Sequence, residues 1–257
     1  MQLNYKLFGY EYKPLVILHG LMGSLDNWQT LAKRWSEHFP VYLLDMRNHG
    51  NSPHSDVFTY EAMVEDVHEF CLQHDLREIN LLGHSMGGKA AMYFALEYPN
   101  LVEKLIVADI APKDYEGGHD QIFNAMKALP LDQITSRQDA EDFMKKYIPS
   151  LGVRQFVLKN LQREDQRYVW KLNLEAIIKN YDNLMKFDAK GRQFPHSTLF
   201  IKGENSDYID ADEFESFKTI FPKAALKTIA DTGHWLHAEN PGLVYISVKV
   251  FAQLKEK

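Results

Sequence analysis

The chain has 257 residues, of which 45% are hydrophobic and 25% charged, with a formal net charge of −6. This composition is typical of a folded globular protein and excludes disordered and collagen-like chains. No block of basic residues is present, which argues against a nucleic-acid or anionic-membrane surface. The single cysteine, Cys71, excludes an intrachain disulfide and a zinc site built from cysteines, and its helical context indicates a buried structural thiol.

The first residues, Met1-Gln-Leu-Asn-Tyr-Lys6, lack the charged and apolar segments of a signal peptide. No apolar run approaches the roughly 18 residues that span a bilayer. We therefore expect a cytoplasmic protein without membrane insertion.

Up to about residue 110, short apolar runs alternate with helical patterns. The runs predict buried strands at 14–18, 41–45, 79–82 and 105–108, with helices from about 26, over about 60–74 and over 86–98. Strands separated by helices of this length indicate βαβ units and a mostly parallel sheet flanked by helices.

This alternation stops between about residues 112 and 191, where the pattern is polar and helical without a convincing buried strand. It resumes with predicted strands at 197–201 and 226–230, a helix over about 211–221, and a last helix after Asn240-Pro241. The sequence therefore predicts a discontinuous α/β core, residues 1–112 and 191–257, interrupted by a helical insertion at 113–190.

The strongest motif is Gly83-His84-Ser85-Met86-Gly87, which fits G-x-S-x-G between a predicted strand and a predicted helix. In this nucleophile elbow a sharp turn exposes the serine hydroxyl at the carboxyl edge of the sheet. A serine nucleophile needs a base, because its hydroxyl barely ionises at neutral pH. His234 follows the last predicted strand and is the predicted base, whereas we expect nearby His237 to orient groups or lie at the surface.

The acid that orients His234 has two candidates. The usual place for the acid partner of an elbow serine is the loop after the strand predicted at 197–201, three residues beyond a glycine. Here that position holds Ser206, and Asp207 comes one residue late. Asp109 ends the apolar run 105–108, where an ionised carboxylate is costly unless it is paired. We favour Asp109 and keep Asp207 as the alternative, with Ser206 in the same hydrogen-bond network.

His19-Gly20-Leu21 follows the first buried strand. In a fold of this type the backbone N–H of Leu21 and that of Met86, the residue after the serine, are expected to form the oxyanion hole. His19 is expected to brace this loop and to take no part in the chemistry.

Four segments together resemble the abhydrolase-11-type group of small esterases within the α/β-hydrolase superfamily. They are Asp45-Met-Arg-Asn-His-Gly-Asn-Ser-Pro53, Gly83-His-Ser-Met-Gly-Gly-Lys89, Asp109-Ile-Ala-Pro112 and Gly233-His-Trp-Leu-His-Ala-Glu239. The resemblance implies a helical cap over the active site, hydrolysis of short- to medium-acyl esters, with acyl-CoA thioesters as an open possibility, and neither cofactor nor metal. It also implies an acid at the end of the strand predicted at 105–108 and a serine in the loop after the strand predicted at 197–201, which Asp109 and Ser206 match.

We therefore predict a serine carboxylesterase acting on a small-molecule ester or thioester. The alternatives are a C–C bond hydrolase or dedicated thioesterase on the same triad and, more remotely, a non-catalytic ligand-binding hydrolase fold. An epoxide hydrolase or haloalkane dehalogenase is disfavoured, because those enzymes use an aspartate nucleophile. Four side chains of the cap are candidates to line its pocket: Phe123, Met126, Tyr147 and Trp170.

Overall fold

The computed structural model describes residues 1–10, 13–165 and 167–253. Within these residues seven strands form one sheet in the order β1-β3-β2-β4-β5-β8-β9, and β6 pairs with β7 alone. The strands are β1 (Tyr5–Phe8), β2 (Leu15–Leu18), β3 (Val41–Leu44), β4 (Ile79–His84), β5 (Val102–Ala108), β6 (Leu161–Glu164), β7 (Arg167–Trp170), β8 (Ser197–Gly203) and β9 (Ala224–Ile229).

The sheet is parallel except at one edge, where β1 runs antiparallel to β3. All six parallel strands were expected from their apolar runs, and the predicted α/β architecture is confirmed. Strand β1 was not predicted, because an exposed edge strand of four residues carries no continuous apolar run.

The helices cover both faces of the sheet. They are α1 (Gln29–Trp35), α2 (Tyr60–Gln73), α3 (Met86–Glu97), α4 (Asp120–Ala128), α5 (Arg137–Met144), α6 (Leu151–Leu158), α7 (Leu174–Lys179), α8 (Tyr181–Leu184), α9 (Phe214–Phe217), α10 (Leu236–Glu239) and α11 (Pro241–Gln253). In the part of the chain that the structure describes, none of them is long and apolar enough to cross a membrane.

The helix predicted over 211–221 is wrong in length, since only Phe214–Phe217 is α-helical. At its start the Asp210 carboxylate accepts the N–H of Asp212 at 2.9 Å, which favours a turn. At its end Phe221 precedes Pro222, and the residue before a proline is disfavoured in the helical region.

The segment between β5 and β8, called the insertion below, contains α4 to α8. It also contains the antiparallel hairpin β6–β7, which the helical pattern of the segment did not predict. Each hairpin strand has only four residues, and neither is fully buried. Such strands leave no apolar run to detect in the sequence.

The sheet separates two hydrophobic cores, and alternate residues of β2 belong to different cores. The smaller core contains α1 and α11, whereas the larger contains α2, α3 and the buried face of the insertion. The insertion therefore packs on the same side as α3, and the carboxyl ends of β2, β4, β5 and β8 meet at one edge beneath it.

Candidate active site

Ser85 lies in the turn between β4 and α3 with φ 53° and ψ −119°, a strained conformation for a residue with a side chain. The two motif glycines make this turn possible. A Cβ on Gly83 would lie 2.1 Å from the Gly87 carbonyl oxygen, and one on Gly87 would lie 2.4 Å from the Leu18 carbonyl oxygen. The elbow therefore brings α3 into backbone contact with both β4 and β2, and only glycine fits.

Asp109 is fully buried at the end of β5. One carboxylate oxygen accepts the N–H of Gly203 at 2.9 Å. The other accepts the Ser206 hydroxyl and lies 2.8 Å from Nδ1 of His234. Of the two acid candidates, Asp109 thus contacts the histidine, whereas Asp207 is exposed on the wall of the neighbouring cavity.

Because the carboxylate of Asp109 accepts from Nδ1, the proton of neutral His234 resides on Nδ1 and Nε2 keeps its lone pair. The ring of His234 also stacks on Tyr208, with centroids 4.0 Å apart. These contacts fix the orientation of the imidazole from two sides.

The residue before the nucleophile holds the backbone of His234. Nε2–H of His84 donates to the His234 carbonyl oxygen at 2.8 Å. Burial, together with the neighbouring His234 and His237, keeps the pKa of His84 well below its ordinary value, so this ring is neutral. Sequence reasoning missed His84, since the second position of G-x-S-x-G carries no residue preference.

The loop after β2 is braced by two buried histidines. His19 donates from Nδ1 to the Gly20 carbonyl at 2.8 Å and accepts the N–H of Met46 on Nε2 at 3.0 Å. His49 accepts the N–H of Met22 on Nε2 at 3.1 Å. Burial lowers the pKa of His19, and it lowers that of His49 to about 3. The bracing expected of His19 is present, and His49 is a second brace that the sequence did not single out.

Leu21 of this loop and Met86, the first residue of α3, both border a cavity beside Ser85. The first N–H groups of a helix have no intrahelical acceptor. The backbone N–H of Met86 therefore has no acceptor within α3 and is a candidate donor to an anionic oxygen.

The cavity has a volume of about 400 Å³ and lies between the sheet edge and the insertion, with Ser85 and His234 in its wall. A smaller chamber of about 50 Å³ adjoins it and is bordered by the same two residues. The walls are largely apolar, and the insertion contributes Ile122, Val153 and Leu184.

The four predicted pocket residues do not line either chamber. Phe123 and Met126 are buried in the larger core, and the indole N–H of Trp170 donates to the Met126 carbonyl at 3.2 Å. Tyr147 is 37% exposed. Helical periodicity identifies an apolar face, but it does not distinguish a face that packs in the core from one that borders a cavity.

Lys89 of α3 is almost completely buried in the cavity wall. Its ammonium group donates to the carbonyl oxygens of Met185 at 2.8 Å and Lys186 at 3.1 Å, just beyond the end of α8. Burial lowers the pKa of Lys89 to about 8. The nucleophile helix is thereby tied to the insertion.

Two further residues, Cys71 and His237, are packed inside the fold. Cys71 is buried in α2, and burial raises the pKa of its thiol to about 12, which makes it unreactive. His237 is buried and stacks on Trp28 with ring centroids 4.5 Å apart. The expectation that His237 lies at the surface, one of the two placements considered for it, is therefore wrong.

Among the described residues, no group of three or more His, Cys, Asp or Glu side chains is arranged to hold a metal ion.

A family model described as alpha/beta hydrolase fold matches residues 13–241. The solved structure of a marine microorganism esterase is 42% identical, with a TM-score of 0.94, over 97% of this chain and 99% of that chain. The sn-1-specific diacylglycerol lipase ABHD11 of Danio rerio is 39% identical over 93% of this chain and 78% of its own length. Esterase YbfF of Escherichia coli (strain K12) is 35% identical over 93% of each chain.

The matches extend over nearly the whole chain, and they agree with the sheet order and with the resemblance carried by the four sequence segments. The chain belongs to the α/β-hydrolase family, within its group of esterases, and is a carboxylic ester hydrolase.

Proposed function

We propose that the protein is a serine carboxylesterase in which Ser85 is the nucleophile, His234 the general base and Asp109 the acid of the triad. The observation that carries this proposal is the 2.8 Å contact between buried Asp109 and Nδ1 of His234, on a ring that shares the cavity wall with Ser85. The strained backbone of Ser85 supports it as well, because such strain is typical of a nucleophile elbow.

In the first half-reaction Ser85 Oγ attacks the ester carbonyl while Nε2 of His234 takes the hydroxyl proton. The backbone N–H groups of Leu21 and Met86 stabilise the negative oxygen of the tetrahedral intermediate. His234 then gives the proton to the departing alcohol oxygen, and an acyl-enzyme remains. Asp109 keeps the imidazole in its productive tautomer and stabilises the imidazolium.

In the second half-reaction water attacks the acyl-enzyme and transfers a proton to His234. The second tetrahedral intermediate collapses, Ser85 recovers its proton from the imidazolium, and the carboxylic acid leaves. Every proton passes through Nε2 of one histidine, so no cofactor enters the proposal.

We assign residues 113–190 to a cap over a core formed by residues 1–112 and 191–257. The support is that apolar side chains of this segment line the same cavity as Ser85. A volume of about 400 Å³ suits a short- to medium-length acyl chain. A dedicated thioesterase or C–C bond hydrolase would use the same triad, and a ligand-binding protein would use the cavity alone.

The decisive experiment is labelling with a fluorophosphonate probe, followed by peptide mapping. We expect covalent labelling at Ser85 and none in Ser85→Ala. Absence of labelling in folded wild-type protein would contradict the proposal and favour a binding protein.

Substrate class is then tested with p-nitrophenyl esters of increasing acyl length, acyl-CoA thioesters and a diacylglycerol, the last because one relative is named for it. We expect kcat/KM to be highest for short to medium acyl groups. An optimum at long chains would contradict this assignment of the cavity.

A further inference from the structure

The large cavity and the small chamber meet at Ser85 and His234. Three described residues of the insertion border both spaces: His119, Ile122 and Val153. Two of these are apolar. Among the described residues of the insertion, His119 is therefore the polar side chain that lies at the junction where the scissile bond of a substrate would sit.

A chain of hydrogen bonds determines which nitrogen of His119 carries the proton. The hydroxyl of Tyr181 accepts the backbone N–H of Gly118 at 3.1 Å and is hydrogen-bonded to Nδ1 of His119. If Nδ1 carried the proton, the Tyr181 hydroxyl would accept both bonds and no described residue would accept its own O–H, which is costly for a tyrosine that is only 6% exposed. The O–H therefore donates to Nδ1, and the ring proton resides on Nε2.

The ring of His119 is also neutral. Burial, with a smaller contribution from nearby His234, lowers the pKa of His119, and burial raises the pKa of Tyr181. At neutral pH the insertion thus contributes one uncharged N–H donor at this junction. The triad does not use it.

We propose that His119 contacts the leaving group, its Nε2–H donating a hydrogen bond to the alcohol oxygen of the ester as that oxygen departs. This proposal rests on the proposed function of Ser85 and His234. The departing oxygen receives its proton from His234 and a hydrogen bond from His119, which itself transfers no proton. Because sulfur is a weak hydrogen-bond acceptor, the contact favours oxygen esters over thioesters of the same acyl group.

The test compares kcat/KM for ethyl butyrate and S-ethyl thiobutyrate, both followed by titration of the released acid. In His119→Phe we expect the ratio of kcat/KM for the oxygen ester to kcat/KM for the thioester to fall about tenfold. This is the effect expected from the loss of one neutral hydrogen bond. His119→Gln, whose amide retains an N–H donor, should recover a large part of the ratio. The matched control is Ile122→Ala, which alters the same junction without removing a donor and should leave the ratio within about twofold.

A ratio is measured because a loss of packing affects both substrates alike. If His119→Phe lowers kcat/KM equally for both substrates, or changes neither value, the proposal is wrong and His119 is a structural partner of Tyr181.

Tyr181→Phe provides a second measurement should the first variant fold poorly, because without the hydroxyl the proton of the His119 ring can reside on Nδ1. We expect a smaller fall in the ratio, and an unchanged ratio in this variant contradicts the tautomer assignment. Failure of the proposed function is distinguishable, since wild-type protein would then hydrolyse neither substrate and Ser85 would not be labelled.

Discussion

His84 donates from Nε2 to the carbonyl oxygen of His234 at 2.8 Å, so the residue that precedes the nucleophile holds the loop that carries the base. The two catalytic candidates lie 149 positions apart in the numbering, at the ends of different strands. Because His84 and Ser85 are adjacent in the elbow, this hydrogen bond links the position of the loop that carries His234 to the position of the nucleophile.

We predict that His84→Leu lowers kcat about five- to tenfold, the effect expected from losing one neutral hydrogen bond that positions His234. KM should change little, since His84 positions the base and we assign it no contact with substrate. His84→Gln, which keeps an N–H donor, should recover part of kcat. Steady-state kinetics on one p-nitrophenyl ester measures all three variants, and an unchanged kcat in His84→Leu would show that other contacts suffice to hold the loop.

Asp109→Asn should lower kcat by about 10³–10⁴-fold, the scale of a lost triad acid. An amide of the same shape preserves packing, but its N–H₂ group cannot accept from Nδ1 of His234 and favours the wrong tautomer. The matched control is Asp207→Asn, which changes an exposed carboxylate in the same cavity wall and should cost far less. The reverse order of effects would assign the acid to Asp207.

Gly83→Ala should destabilise the fold by about 3 kcal/mol or more, since the added methyl carbon overlaps the Gly87 carbonyl and the backbone cannot move away. Gly152→Ala is the control. It lies in α6, with no atom closer than 4.0 Å to the new carbon, and should be neutral or stabilising by up to about 1 kcal/mol. Urea unfolding measures both, and equal midpoints for the two variants would refute the close approach of α3 to β4.

Lys89 makes stability depend on pH in a defined direction. Its folded-state pKa of about 8 lies below the ordinary 10.5, so between these values the unfolded chain binds more protons at this site than the folded one. The contribution of Lys89 is therefore least favourable below pH 8 and becomes more favourable as the pH rises toward 10.5. We expect the urea midpoint of wild type minus that of Lys89→Met to increase between pH 7 and pH 9.5. A difference that stays constant or falls would show that the ammonium group is well compensated by the carbonyl oxygens it binds.

Much of the fold could be read from the sequence, because the central parallel strands β2 to β5 and β8 are largely buried on both faces and contain continuous apolar runs. The exposed edge strand β1 and the hairpin β6–β7 could not, since short strands that are only partly buried have no such run. The limits of α9 depended on turn-forming Asp210 and on Pro222, which outweighed the apolar pattern of the segment.

The candidate site likewise contains residues that the sequence identified and residues that it did not. Local sequence was sufficient for Ser85, because the strand–turn–helix pattern and two glycines form one continuous motif. The sequence also placed Asp109 at the end of a buried strand, but it left Asp207 open, since the distance between an acid and His234 depends on how β5, β8 and β9 lie side by side. The contacts made by His84, His119 and Lys89 span 62 to 150 positions, and no local pattern records them.

The amino-acid sequence alone was enough to infer the order of the core elements, the elbow with its serine, and the histidine after the last strand. These follow from hydrophobic runs and turn chemistry, which act between residues close together in the chain. Three outcomes required the tertiary structure: which carboxylate meets His234, which face of the insertion borders the cavity, and that an imidazole of the insertion borders the same two chambers as Ser85. Those outcomes depend on packing between distant elements, where burial and hydrogen-bond satisfaction act across the whole molecule and leave no periodic signal along the chain.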